Sequence, residues 1–142
     1  MTISQLYGRD VNGNMVPVLV AADGTIASAS SATAVTPLTP ASTTALASSL
    51  VLKASAGSFY GLQVTNGATA GFVMLFNAAT APADGAVTPT KVYAMAANSS
   101  LSVSVGGGPP TAFSTGVTVV YSSTGPFTKT ASATAFISGE AV

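Results

Sequence analysis

The sequence predicts an all-β protein: an antiparallel β-sandwich or jelly-roll-like body, preceded by a β-hairpin and an extended arm. Three observations carry that expectation. From residue 50 onward, short runs rich in Val, Phe and Tyr alternate with clusters of Gly, Pro, Asn and Ser, as strands alternate with turns. About eight such runs follow one another at the spacing of a sandwich. The run Ser100–Val105 alternates strictly, with Leu101, Val103 and Val105 on one face. A chain of 142 residues is one domain, or one domain with an appendage. The expected division is a hairpin over 1–26, an arm over 27–49 and the body over 50–142.

The hairpin is read from QLYGRDVNGNMVPVLVAADGTI. Asn12-Gly13 predicts a tight turn whose two central residues both take positive φ. Met15, Val16, Val18, Leu19 and Val20 continue as a strand. Pro17 cannot donate to a ladder, so that strand belongs at an edge. Asp23-Gly24 marks a second turn before Thr25 and Ile26. An isolated hairpin buries too little surface to stand alone and needs another surface to pack on. Tyr7, Arg9, Met15, Val18 and Leu19 are therefore candidate partner-binding residues.

The arm, Ala27–Ser49, contains no charged residue, and only Val35, Leu38 and Leu46 offer larger aliphatic side chains. It is either a loose linker or an arm that orders against something else. Ordering a backbone costs roughly 1–2 kcal/mol per residue, which side chains this small do little to offset. Pro37 and Pro40 favour extended backbone at themselves and at the residue before each. Ser and Thr argue against a helix over Ala41–Ser49, leaving an extended arm with room for one helical turn. As a strap, it is expected to exchange backbone hydrogen bonds with a neighbouring subunit by strand addition. Val35, Leu38 and Leu46 join the candidate partner-binding residues.

Within the body, Phe72–Leu75 does not alternate, which fits a strand covered on both faces. Phe59, Tyr60, Phe72, Phe76, Tyr93, Phe113, Tyr121, Phe127 and Phe136 lie mainly in strand patterns, and most of them are expected in the core. Turns are expected at Asn66-Gly67, Asp84-Gly85, Gly106–Pro110, Thr115-Gly116 and Gly125-Pro126. Asn77–Gly85 reads as an exposed loop of the kind that carries ligand contacts.

Charged residues make up 6% of the chain and sum to zero, against roughly 25% in an ordinary domain. One reading is an extracellular β-protein whose hydroxyls keep it in solution; the sharper one is a surface largely covered in a larger assembly. Four scattered cations cannot line up on phosphates, so nucleic acid is not an expected partner. The absence of His and Cys removes the Ser–His arrangement, the thiol nucleophile and the commonest metal ligands. The four carboxylates are far apart, and Asp84 reads as a turn residue. Gly106–Pro110 lacks the Lys-Ser or Lys-Thr of a phosphate loop. No catalytic residue, cofactor or metal is expected. No apolar run approaches the roughly 18 residues of a membrane helix. The opening MTISQLYGRD lacks a signal peptide's pattern, which predicts synthesis in a cytoplasm without export by the general route.

Three pieces of the body, LKASAGSFYGLQVTNGATAGFVMLFNA, APADGAVTP and FSTGVTVVYSSTGPFTKTASATAFISG, resemble small β-proteins encoded among the virion genes of tailed bacteriophages. The opening YGRDVNGNMVPVLVAADG is similar to hairpins near the N-termini of phage head and tail accessory proteins. The resemblance implies a capsid decoration, cement or head-fibre protein, oligomeric and often trimeric. Its partners would be the major capsid protein or other virion subunits, and it would lie on the capsid surface after synthesis in the host bacterial cytoplasm. It implies no catalytic residues. Two other roles stay open: a tail, neck or fibre-tip component, and a β-sandwich module that binds a receptor or glycan.

Overall fold

The structure, a computed structural model, describes residues 7–10, 12–17, 37–106 and 108–142. The chain divides into two units, Met1–Val35 and Thr36–Val142.

In the first unit, β1 (Tyr7–Arg9) pairs antiparallel with β2 (Met15–Pro17), and Arg9 lies opposite Met15. The Asp10 carboxylate organises the connection. It accepts the N–H of Asn12 at 2.9 Å, the N–H of Asn14 at 2.8 Å and the Asn14 side-chain amide at 3.1 Å. These bonds, the Asn14 backbone bond foremost, hold the Asp10 carboxyl below its ordinary range. Gly13 takes φ 83°, whereas Asn98 is the only non-glycine with positive φ among the described residues. The expected tight turn at Asn12-Gly13 is therefore a longer connection in which, among its described residues, only Gly13 uses left-handed backbone. An Asp side chain that accepts backbone N–H groups two and four residues on substitutes for the second positive φ. Val18–Val20 and the turn at Asp23-Gly24 lie outside the described residues.

The second unit is a two-sheet antiparallel sandwich. Its strands are β3 (Thr39–Ser42), β4 (Ser49–Lys53), β5 (Gly57–Asn66), β6 (Gly71–Asn77), β7 (Gly85–Ala86) and β8 (Lys91–Met95). Then follow β9 (Ser100–Ser104), β10 (Thr111–Phe113), β11 (Val117–Ser122), β12 (Thr128–Lys129) and β13 (Ala135–Ala141). One sheet runs β3-β13-β5, with β9 and β10 sharing the far edge of β5; the other runs β4-β11-β6-β8. β7 and β12 form a small separate pair.

Alternation places one side of each strand in the core between the sheets. β5 contributes Phe59, Leu62 and Val64, and β13 contributes Ala135, Ile137 and Ala141. Leu101 and Val103 pack against them while Ser100, Ser102 and Ser104 stay exposed, as the alternation of that run predicts. Phe59 and Phe113 meet edge to face, with centroids 6.4 Å apart. β6 is covered on both faces, as its unbroken apolar run predicts. Val73 and Leu75 enter the main core, and Met74 and Phe76 join Val120 in a second cluster on the outer side of that sheet.

The cover over this second cluster corrects one expectation. Asn77–Gly85 is not simply an exposed loop: Ala78, Ala81 and Val87 pack on Met74, Phe76 and Val120. Thr118 donates its hydroxyl to the Ala78 carbonyl at 2.7 Å. Asp84 is more than a turn residue as well. Its carboxylate pairs with the ammonium of Lys129, which is buried, and accepts the Ala131 N–H. Lys129 first, then the Ala131 N–H, hold the Asp84 carboxyl below its ordinary value of 3.8. A carboxyl whose folded value is depressed stabilises the fold fully above its unfolded value, and that contribution fades as pH falls through the folded value. Acidification from neutrality to below 3.8 is thus expected to lower the melting temperature of the native chain. Asp84→Asn is expected to melt lower at neutral pH and to lose less on acidification, read as melting temperature against pH. A parallel fall in both proteins would remove Asp84 as the cause.

The boundary expected at residue 50 also moves. Residues 37–49 belong to the body: β3 pairs with β13 from Ser42 opposite Ser138 to Thr39 opposite Ala141. The Thr43 N–H reaches the Ile137 carbonyl at 2.9 Å, Ala47 bridges Ala135, and Ser49 opens β4. This stretch joins the sheet through its backbone, and Ala41 fits opposite Gly139. Strand addition does occur here, but onto the chain's own β13, and no helical turn forms among 37–49. The rest of the arm, 27–36, lies outside the described residues. Among the aromatics expected in the core, Phe127 (66% exposed) and Phe136 (40%) face outward.

Candidate functional site

Among the described residues no cluster of Asp, Glu, His or Cys suits a metal ion, and every buried side-chain polar atom has a hydrogen-bond partner. Two surfaces remain as candidates, one on each unit.

The hairpin carries the first. Pairing sets Arg9 opposite Met15, and Tyr7 follows two residues along the same face. Tyr7 is 47% and Met15 59% exposed. A hydroxylated ring, a thioether chain and a guanidinium thus share one side of a two-stranded ribbon. Of the other candidate residues, Leu38 (44% exposed) and Leu46 (63%) lie in the second unit, before and after β3. Val18, Leu19 and Val35 lie outside the described residues. The structure therefore brings together Tyr7, Arg9 and Met15, and sets Leu38 and Leu46 beside the edge strand of the sandwich.

The second surface is a groove of about 450 Å³ across the outer face of the sheet β3-β13-β5-β9. Register defines it. One row across the sheet reads Pro40, Glu140, Gly61, Ser104. The next outward row reads Ser42, Ser138, Gln63, Ser102. The register between β5 and β13 shifts between Glu140 and Ala141, which pair with Gly61 and Phe59. Tyr60 is thus the extra residue of a β-bulge, a device that turns a side chain away from the regular pleat. It is half-buried and lines the groove. Gly61 keeps the floor open: a Cβ there would stand 3.0 Å from the Val103 carbonyl oxygen. Among the described residues, Glu140 is the only charged one in the lining.

Sequence reading did not find this groove. Outward positions of single strands are visible in the alternation, but their alignment into rows depends on pairing between distant segments, one of which lies within the stretch expected to be an arm. No protein-family model matches the chain, and no curated protein or solved structure is significantly similar to it.

Proposed function

We propose that this chain is a non-enzymatic structural protein of a bacteriophage virion, a capsid decoration, cement or head-fibre subunit. Its N-terminal region binds the shell and its β-sandwich is displayed. The observation that carries the reading is the division of the chain. A small unit carries a hairpin with Tyr7 and Met15 exposed, and a charge-poor sandwich unit follows. An isolated hairpin is marginal on its own, so docking on a large partner gives it a surface to pack against. Low charge suits a chain much of whose surface is covered by other subunits. A trimer provides the repeated contacts that such an assembly needs.

The experiment is co-sedimentation of the purified full chain with tailed-phage shells assembled without it. Saturable binding is expected. The double variant Arg9→Glu, Met15→Asp is expected to weaken it at least about tenfold, since it places charge at the centre of the docking face. Light scattering across a dilution series is expected to give a persistent trimer. Failure of the full chain to bind shells, or undiminished binding by the variant, would sink the anchoring role.

A further inference from the structure

The groove lies on the sandwich unit, whereas the proposed shell contact lies on the hairpin. We infer that it is a binding site for a neutral oligosaccharide. The inference does not depend on the virion reading.

The lining sets the ligand's chemistry. Ser42, Ser104 and Ser138 supply hydroxyls, Gln63 an amide that both donates and accepts, and Glu140 an acceptor. Among the described residues no Lys or Arg lines the groove, so a phosphate, sulfate or uronate would meet the Glu140 carboxylate without a counter-charge. A ligand whose surface is made of uncharged hydroxyls matches this set, because each hydroxyl can donate to Glu140 or Gln63 and accept from a serine. The half-buried Tyr60 offers a ring with an apolar face and a polar tip, suited to the mixed surface of a sugar ring. The volume of 450 Å³ lies within the range of small-molecule sites.

The backbone argues against a peptide. An extended peptide gains affinity by adding to a free strand edge, but β5 and β13 are interior strands. Gly61–Gln63 pair with β13 on one side and β9 on the other, and Ser138–Glu140 pair with β5 and β3. On these two strands only side chains are left to read a ligand. They stand on paired strands, which positions them more rigidly than loops would.

The test is an NMR titration of the full chain with cellohexaose, xylohexaose, maltohexaose, mannohexaose and chitohexaose, each to ~10 mM, ten times a millimolar dissociation constant. Oligogalacturonate and a Gly-Ser peptide serve as controls. At least one neutral sugar is expected to shift the amides of Gly61–Gln63 and Ser138–Glu140 saturably, and neither control is. Gln63→Ala and Glu140→Gln, both at exposed positions, are each expected to weaken that binding about tenfold, with the melting temperature unchanged. Ser138→Trp, which fills the groove, is expected to abolish it. The inference is overturned if no sugar in the panel moves the groove amides, or if the peptide or oligogalacturonate moves them instead. Binding that survives Ser138→Trp overturns it too, as do groove shifts that appear on concentrating the protein alone, which would mark a contact between two copies.

Discussion

Replacing Asn66 by alanine is expected to lower the free energy of unfolding by about 3–4 kcal/mol. Asn66 sits at the end of β5 and is 6% exposed. Its side-chain oxygen accepts the Ser99 N–H at 2.8 Å. Its amide nitrogen lies 2.8 Å from the Ala96 carbonyl, 3.0 Å from the Thr69 carbonyl and 2.7 Å from the Tyr121 hydroxyl. Tyr121 in turn donates to the Thr69 carbonyl at 2.6 Å. One side chain thus ties the β5–β6 connection, the β8–β9 connection and the end of β11 together. Alanine leaves these groups short of partners in a place that water reaches poorly, and each such loss costs about 1–3 kcal/mol. Tyr121→Phe keeps the ring and removes only the hydroxyl, so its expected cost is about 1–2 kcal/mol. Urea unfolding of the two variants measures both. A loss below about 1 kcal/mol for Asn66→Ala would show that the network is replaced rather than broken.

The second large effect is expected from one added methyl group. Gly71→Ala should cost about 3 kcal/mol, at the upper end of ordinary overpacking. A Cβ at Gly71 would collide with the Ser122 carbonyl oxygen and stand 2.9 Å from both the ring carbon Cζ and the hydroxyl oxygen of Tyr121. Neither neighbour can yield easily. Ser122 is paired to Phe72 in the sheet, and Tyr121 is fully buried and held by Asn66. Gly67→Ala is the control: its Cβ would meet nothing closer than the Thr134 carbonyl at 3.7 Å, an ordinary contact. Its expected change is within about 0.5 kcal/mol. Equal losses for the two alanine variants would point to backbone entropy rather than the collision at Gly71.

Asn66 also marks where the sequence stopped being informative. It was legible only as half of an Asn-Gly turn signal, yet Asn66 itself ends β5 and the chain bends at Ala68. Its burial, and its bond to Tyr121 across the sandwich, depend on how distant strands pack. The strands of the body were legible because alternation is local: Ser100–Ser104 and the doubly covered β6 can be read from their own residues. β3 was not, because its Thr, Pro, Ala and Ser carry no β signature of their own. The free edge of β13 made it a strand. The groove was illegible for the same reason, since Ser42, Ser138 and Gln63 become neighbours only once register is fixed. The hairpin face was read more directly, since Tyr7, Arg9 and Met15 are close in sequence.

The position of β13 bears on how the chain reaches its fold. It is the latest strand in the sequence, yet it lies between β5 and β3, pairing with both. The strands β4, β6, β8 and β11 all precede it and can assemble their sheet without it. Until β13 emerges from the ribosome, β3 has no partner and β5 holds a bare edge. The two halves of the sandwich therefore cannot mature together during translation. Every nascent chain passes through a stage with one sheet complete and the other open to neighbouring chains. That interval is when mispairing between chains is most accessible.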